Sequence, residues 1–525
     1  MIHFALALLP SPAYACGGMF CDAVVPVDQA AERIVFTFDG PDVVTEVQIT
    51  YQGQDDDFAW VVPVPEEPEL FASNDALFTQ MANSTVPTYT LQSDSTGGGS
   101  LGCAQDMNLS ASKDSAGGFE DGDGVSVVSE GTVGPYDTVV LQAENADTLI
   151  TWLQEQGYNL PDEVELVVEP YVASGQYFVA LKLSSDKDTG DLAPLGMRYA
   201  ATAASIPIQL TSIATIPDLP IEVFVIGESR AVPDNYLHVQ LNEAAINWYG
   251  GGNNARALVA RAADEAGGQA FATEFSGSTD IMANQLWFDG MVDVTYLAGL
   301  TDPISWVESI VFSGIPASSQ LNALLTDFVP PPSGVDDVTF LSCPSCYSGQ
   351  VSAPDFDPVV ATEAFRVEIV EVLHDQQKRI DAAGHLTRMI TTMDAEEMTA
   401  DPIFVLNADI EQDVSQSHIA IDHTRNAFFS GDVQARTLEL ADGREYKFSD
   451  PQDTNSMDAV ELPVALIIED LSATGEGTIV FDGREDAKAD AVAFSGGCAS
   501  EAADSGAIVA PVLLLLAGAL RRRRG

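Results

Sequence analysis

Alternating β-branched, aromatic and polar residues dominate the first part of the chain. The segments ERIVFTFDG, VVTEVQITYQG and DFAWVVPVP share this pattern, and turn signals containing Gly or Pro separate them. Such runs are typical of β-strands, so they predict a hairpin or meander between Cys21 and Val86. Pro63 and Pro65 cannot donate a hydrogen bond to a neighbouring strand, and we therefore expect the third strand to end at a sheet edge.

Residues 93–134 are rich in Gly, Ser and Asp, and this composition predicts a flexible surface loop. After the loop, the apolar residues have helical spacing. Segments 143–156 and 161–172 predict short helices; Asn145 or Asp147 would cap the first, and Gly157 would follow its end. Strand patterns return in QYFVALKLS, MRYAATAASIPIQLTSI and IEVFVIG, and helical patterns in NARALVARAADEAG and SSQLNALLTDF.

The last long apolar pattern, residues 358–398, has helical spacing and predicts a helical hairpin broken near Gly384. Residues 403–482 predict strands again, with turns at Asp442-Gly443 and Asp482-Gly483. The alternation of sheets with short helices indicates an α+β fold.

These patterns divide the chain into six consecutive segments. They are a signal peptide (1–15), an N-terminal β region (16–92), the flexible loop (93–134), a central α+β domain (135–350), a C-terminal region of helix and strands (351–496) and a tail (497–525).

Both ends of the chain carry export signals. Near the start, Ala13-Tyr14-Ala15 is a cleavage signature that would leave Cys16 first; a lipid-modified Cys16 is the alternative. Near the end, the apolar segment 507–520 predicts a helix. At about 1.5 Å per residue this segment is shorter than the roughly 30 Å core of a bilayer, which favours a temporary sorting signal over a permanent anchor. The arginines that follow would stop translocation; they are Arg521, Arg522, Arg523 and Arg524.

The chain is strongly acidic, with a net charge of −57. Such a charge repels nucleic acid and anionic lipid, so neither is an expected partner of the exported part. Adaptation to a saline or calcium-rich exterior and cation binding are the two interpretations of this charge. Hydrophobic residues make up 46% of the chain, enough to build packed cores.

Six cysteines suit an oxidising compartment. Cys343 and Cys346 have the spacing of a tight structural disulfide or a redox pair; no cationic neighbour is evident to stabilise a thiolate, which favours the structural bridge. With Cys498 assigned to sorting, Cys16 and Cys21 are candidates for a second bridge, and Cys103 remains. If Cys16 carries lipid, the other four cysteines would pair among themselves.

The densest cluster of metal-ligand residue types is His418, Asp422 and His423. Two histidines and a carboxylate are ligands that zinc prefers. On a strand, however, His418 and Asp422 share one face while His423 points to the other, so polar strand positions are the favoured interpretation. His374 and His385 lie on the predicted helical stretch and are interpreted as solvated.

Asp186 and Asp188 begin a segment with the alternating carboxylates of a calcium loop. The glutamate that such a loop requires at position 12 is replaced by Met197, which argues against an EF-hand. The sequence suggests no other cofactor. G-x-S-x-G, phosphate-binding and dinucleotide-binding motifs are also missing from the sequence.

Four segments resemble a bacterial family designated domain of unknown function 2330. They are ACGGMFC (15–21), AERIVF (31–36), FAWVVPVP (58–65) and Cys343-Pro-Ser-Cys346. The resemblance covers roughly residues 15–350 and implies an exported bacterial protein without an assigned activity.

The tail is similar to the myxobacterial C-terminal sorting domain, in which a Cys, a spacer of small residues, an apolar helix and an Arg cluster follow one another. This resemblance implies processing by an intramembrane sorting protease and attachment to the membrane at the cell surface, with Cys498 as the modified residue. Glu501 and Asp504 in the spacer depart from the pattern.

Together these features favour an exported, surface-anchored acidic protein with a structural or adhesive role and an unidentified ligand. A secreted metal-assisted hydrolase using His418, Asp422 and His423 is the first alternative. A periplasmic ligand-binding protein is the second, and it would require a large apolar pocket between the β-rich parts.

Overall fold

The computed structural model describes residues 28–52, 59–93, 124–158, 160, 164–184, 192–213, 215–410, 413–426, 433–448, 450 and 463–484. Its strands, labelled β1 to β21, are Asp28–Asp39, Asp42–Gln52, Ala59–Val64, Glu69–Ala72, Thr88–Ser93, Val125–Val133, Tyr136–Ala143, Tyr177–Leu183, Leu195–Ala200, Ala204–Ser205, Leu219–Gly227, Ala231–Pro233, Leu237–Leu241, Ala270–Ser278, His385–Met393, Ile403–Leu406, Ser417–Asn426, Val433–Glu439, Glu445–Lys447, Ala465–Asp470 and Thr478–Asp482. The α-helices, labelled α1 to α11, are Asp75–Thr85, Ala146–Glu155, Val164–Ala173, Ile208–Thr211, Ala255–Glu265, Val294–Leu297, Pro303–Val311, Ser319–Phe328, Asp337–Ser342, Pro358–Phe365 and Glu371–Ala383.

Shorter helical turns join some of these elements. A π-helical turn, Arg366–Val370, connects α10 to α11. The 3-10 turns are Glu243–Ala245, Trp248–Gly250, Thr279–Met282 and Pro344–Tyr347. No helix among the described residues has both the length and the apolar character needed to cross a membrane.

A large mixed sheet organises the fold, and its described strands follow the order β21-β20-β13-β14-β15-β11-β1-β2-β9-β4. The segments 16–92, 135–350 and 351–496 all contribute strands to it, so these sequence divisions do not separate the sheet. Smaller sheets have the orders β3-β8-β7-β6, β19-β18-β17-β5 and β10-β16-β12. The fold is α+β, as the sequence predicts.

Both faces of the large sheet are covered, because neighbouring residues of a strand point to opposite sides. On β1, Phe36 belongs to a core cluster that includes Trp60 and Leu181 of the sheet that contains β3 and β8. Val35 faces the other way, into a cluster formed with helices α1, α7, α8, α10 and α11. Farther along that second face, α5 and the sheet containing β17 cover β13 and β14.

Several predicted elements are confirmed. β1 and β2 form the expected hairpin, with Phe36 opposite Thr45. β3 lies at the edge of its sheet among the described strands, as the two prolines require. Asn145 caps α2 by accepting a hydrogen bond from the backbone N–H of Thr148 at 3.0 Å, and Gly157 follows the helix with a positive φ of 80°.

Four predictions are corrected. β3 pairs with β8 and is therefore not the third strand of the meander with β1 and β2 that the sequence predicts. Residues 125–133 form strand β6 although the predicted loop extends to 134. The predicted strand after Met197 is interrupted: β9 ends at Ala200 and α4 begins at Ile208. The predicted helical hairpin ends at Gly384, which has a φ of +94°, and its second arm is strand β15.

Candidate functional site

A cleft of about 750 Å³ lies where two parallel strands of the large sheet separate. β13 and β14 pair until Val239 meets Ala272. Beyond that pair β13 continues along β20, whereas β14 next meets Val414 at Ser276. The residues that follow the last shared pair line the cleft, and His418 of β17 lies on its wall. Diverging carboxyl ends of parallel strands commonly form ligand-binding crevices.

Charged side chains of both signs line the cleft: Arg230, Arg444, Arg484, Glu243, Glu274, Asp413 and Asp442. The chain has only 22 Lys and Arg residues against 79 Asp and Glu residues. Three arginines around one cleft are therefore a local concentration of basic residues, and four acidic side chains accompany them. This lining suits a polar ligand that carries an anionic group.

Three side chains from three neighbouring strands form a hydrogen-bonded relay at the cleft. His238 pairs directly with Glu469 in the β13–β20 register, and its Nδ1 atom lies 2.8 Å from Oε1 of Glu469. Nε2 of the same ring lies 2.8 Å from Oγ1 of Thr273 on β14. His238 is buried, whereas Thr273 is partly exposed, so the relay leads from the sheet interior to the cleft.

Burial and hydrogen bonding set the charge states in this relay. Burial lowers the pKa of His238, outweighing the opposing hydrogen bond to Glu469, and the charge of Arg230 acts in the same direction as burial. Burial acts against ionisation of Glu469, but hydrogen bonds with His238 and Gln240 and the charge of Arg230 keep the Glu469 pKa below its usual value. An ionised carboxylate only accepts hydrogen bonds, so Nδ1 of the neutral ring donates to Glu469 and Nε2 accepts from Thr273.

Arg230 places a guanidinium beside this hydroxyl. Its Nη2 atom donates to Oγ1 of Thr273 at 3.4 Å, and the residue is only 7% exposed. Burial lowers the pKa of Arg230, while the charge of Glu469 acts in the opposite direction. Arginine nevertheless stays protonated in proteins, so the hydroxyl of Thr273 lies between an imidazole and a fixed cation.

Another part of the cleft lining is aromatic and acidic. The rings of Tyr89 and His418 stack with centroids 4.9 Å apart, and Nδ1 of His418 lies 2.7 Å from Oε1 of Glu243. Gly252 permits this arrangement: its φ is +77°, and a Cβ there would lie 2.1 Å from the ring of Tyr89. A stacked pair of rings beside hydrogen-bonding groups provides a flat surface for a ligand.

Glu274 forms a bulge on β14 immediately after Thr273, because Thr273 pairs with Met389 and Phe275 pairs with Arg388. Its Oε2 atom lies 2.8 Å from Nε of Arg388. Burial raises the pKa of Glu274 despite the opposing charge of Arg388. β-Bulges often reorient side chains next to functional sites, and this bulge directs a carboxyl group to the cleft.

The predicted metal ligands do not come together. His418 contacts Glu243, whereas Nε2 of His423 lies 2.7 Å from Glu439. Asp422 lies 3.6 Å from Nε of Arg436. The strand β17 explains this separation, because His418 and His423 project to opposite faces. Among the described residues no group of three or more His, Cys, Asp or Glu side chains has a geometry that would hold a metal ion.

Other candidate residues have mixed outcomes. The structure joins Cys343 and Cys346 in a disulfide, with 5.5 Å between their Cα atoms. His385 is on β15 rather than a helix, and its Nε2 atom lies 2.9 Å from Oγ of Ser276. The following residues and segments lie outside the described residues: Cys16, Cys21, Cys103, Asp186, Asp188, Cys498, Arg521 to Arg524, the signal peptide and the predicted tail helix.

The sequence offered no motif for the relay. Thr273 lies 35 positions after His238, and Glu469 lies 231 positions after His238. The one sequence signal available for this site was the polar residue His238 within the short strand LHVQL. The cleft is also more polar than the apolar pocket expected for a ligand-binding protein.

A family model described as "uncharacterized protein conserved in bacteria (DUF2330)" matches residues 10–304. The chain belongs to the DUF2330 family. The match covers more than half of the 525 residues, including Arg230, His238 and Thr273, whereas Glu469 lies beyond it. No curated protein and no solved structure matches the chain.

Proposed function

We propose that this DUF2330 protein is exported and binds a small polar ligand with an anionic group in the cleft. The cleft itself carries the proposal. Its volume of about 750 Å³ lies in the range of about 300–1,000 Å³ that is usual for ligand sites. Arg230 supplies a cation, while His418 and Tyr89 supply a stacked surface.

The proposal includes a location at the cell surface or outer membrane. The A-x-A signature, the Arg cluster and the resemblance of the tail to the myxobacterial sorting domain support export, processing by a sorting protease and membrane attachment through the tail. The net charge of −57 supports an exterior location and argues against nucleic acid as a partner. A structural or adhesive role needs no internal cleft, so ligand binding takes precedence here.

Thermal unfolding of the purified full chain tests ligand binding. Succinate, citrate, glutamate and glucose 6-phosphate are suitable probes because each combines an anionic group with further polar groups. A probe that binds should stabilise the protein by about 2.7 kcal/mol at a hundredfold excess over its Kd. Native mass spectrometry would also reveal a small molecule that copurifies.

Arg230→Gln should remove the stabilisation by the probe, whereas Arg366→Gln on the exposed surface of the helical region should not. If no probe shifts the unfolding temperature and no small molecule copurifies, the cleft is not a ligand site. The structural or adhesive role would then be preferred.

A further inference from the structure

We propose that Thr273 is the nucleophile of an acyl-transfer site that hydrolyses carboxylic esters, with His238 as its general base. This inference depends on the cleft being a ligand site. It adds a reaction to the binding function.

The geometry matches what a hydroxyl nucleophile requires. A hydroxyl is a weak nucleophile unless a base removes its proton, and the base must itself be held in the correct tautomer. Nε2 of His238 lies 2.8 Å from Oγ1 of Thr273, and Nδ1 is held 2.8 Å from the carboxylate of Glu469. His238 would therefore be a catalytic base and Glu469 a positioning residue.

The reaction needs no reagent other than water. Oγ1 of Thr273 attacks the ester carbonyl carbon while its proton passes to Nε2 of His238. The oxyanion forms beside Nη2 of Arg230, which lies 3.4 Å from Oγ1 and can stabilise the new negative charge. When the carbon–oxygen bond to the alcohol breaks, His238 returns the proton to the leaving alcohol. Water, deprotonated by His238, then attacks the carbonyl carbon of the acyl-threonine. The bond from this carbon to Oγ1 of Thr273 breaks, His238 returns the proton to Oγ1, and a carboxylic acid is released.

A second hydroxyl–histidine pair on the same strand provides an internal comparison. Oγ of Ser276 lies 2.9 Å from Nε2 of His385, but Ser276 is only 1% exposed. Thr273 is partly exposed and lines the cleft. Of these two pairs, only the one containing Thr273 combines a base with access to the cleft.

The test uses the full chain and p-nitrophenyl acetate, a small activated ester. We expect release of p-nitrophenol and, after acid quenching, an acetyl group on the peptide that contains position 273. Thr273→Val keeps the shape of the side chain without the hydroxyl and should lower kcat/KM by about 100-fold or more. Thr273→Ser should retain hydrolysis and acetylation at that position, which guards against misfolding as an explanation. Ser276→Ala is the matched control and should hydrolyse at the wild-type rate.

Glu469→Gln should lower kcat with little change in KM, because Glu469 acts through the imidazole of His238 and does not bind the ester. Wild-type protein that neither hydrolyses the ester nor becomes acetylated would overturn the inference. So would Thr273→Val with wild-type activity. If Thr273→Val and wild type bind the same anionic probe but neither hydrolyses the ester, this inference fails while the proposed binding function stands.

Discussion

Nη2 of Arg379 lies 2.9 Å from Oε2 of Glu46, and both side chains are buried. Glu46 lies on β2 and Arg379 on α11, so the ion pair joins the large sheet to the helix that covers it. Ser73 and Gln376 each donate to Oε1 of Glu46 at 2.8 Å. The carboxylate is therefore surrounded by donors, as a buried charge requires.

Arg379→Met should lower the free energy of unfolding by about 3–5 kcal/mol, because it leaves the charge of Glu46 buried without its cation. The double substitution Glu46→Gln with Arg379→Met should cost less than Arg379→Met alone. Denaturant unfolding measures both. Arg366→Gln is the control, since Arg366 forms surface pairs with Glu363 and Glu371. A loss for Arg379→Met as small as that for this control would contradict the prediction.

Stability should fall in mild acid partly because of His238. Its folded pKa lies below the unfolded value of about 6.5, so the unfolded chain binds a proton first. The stabilisation is complete above pH 6.5 and is lost as pH falls toward the folded pKa. Glu469, Arg230 and Thr273 are the polar groups that contact or face this ring.

Denaturant unfolding between about pH 7.5 and about pH 5.5 tests this. Wild type should lose more stability than His238→Gln, by up to about 1.4 kcal/mol at about pH 5.5, because the unfolded imidazole gains its proton about one pH unit above that limit. His374→Gln, at an exposed position, should behave like wild type. Equal losses for wild type and His238→Gln would show that His238 does not contribute.

The Cys343–Cys346 bridge should appear as a linked peptide in mass mapping under non-reducing conditions. It closes a very short loop, so replacing both cysteines by serine should cost only about 2 kcal/mol of unfolding free energy. Alkylation of both thiols in the native, unreduced protein would refute the bridge.

Salt should stabilise the protein. Raising ionic strength from 0.01 M to 0.15 M shortens the screening length from roughly 30 Å to roughly 8 Å, which weakens repulsion within a chain of net charge −57. The melting temperature should therefore rise with NaCl. A flat or falling melting temperature would mean that the acidic groups are dispersed or paired well enough to avoid repulsion.

The tail should act as a sorting signal. Replacing Arg521 to Arg524 by neutral residues removes the charge that stops translocation, so the protein should be released or remain unprocessed. Cys498→Ser should still be exported but should lack the mature anchored form. Fractionation of cells and medium distinguishes these outcomes. Normal processing and anchoring of Cys498→Ser would show that Cys498 is not the attachment point.

Local chemistry made part of the fold predictable. Alternation alone predicts β1 and β2, and the side chain of Asn145 marks the start of α2. The segment His385–Met393 was harder, because its apolar residues Leu386, Met389, Ile390 and Met393 fit the helical spacing i, i+3, i+4, i+7. Pairing with β11 and β14, which come from distant parts of the chain, makes it a strand.

The sequence could not predict the hydrogen-bonded relay either, because the relay also depends on pairing between distant parts of the chain. Glu469 and His238 meet because β20 and β13 pair, and Thr273 reaches the ring because β14 lies parallel to β13. Tertiary register, which no local pattern records, brings these three groups together.

The position of β15 between β14 and β11 also affects the timing of folding. β11 is complete at Gly227 and β14 at Ser278, yet the strand that joins them ends only at Met393. During synthesis the ribosome must add more than a hundred residues after β14 before this gap can close, and each half of the sheet meanwhile presents an unpaired edge. Long-range pairing of this kind slows folding and exposes strand edges to aggregation. A chain of this design therefore benefits from staying unfolded until synthesis is nearly complete.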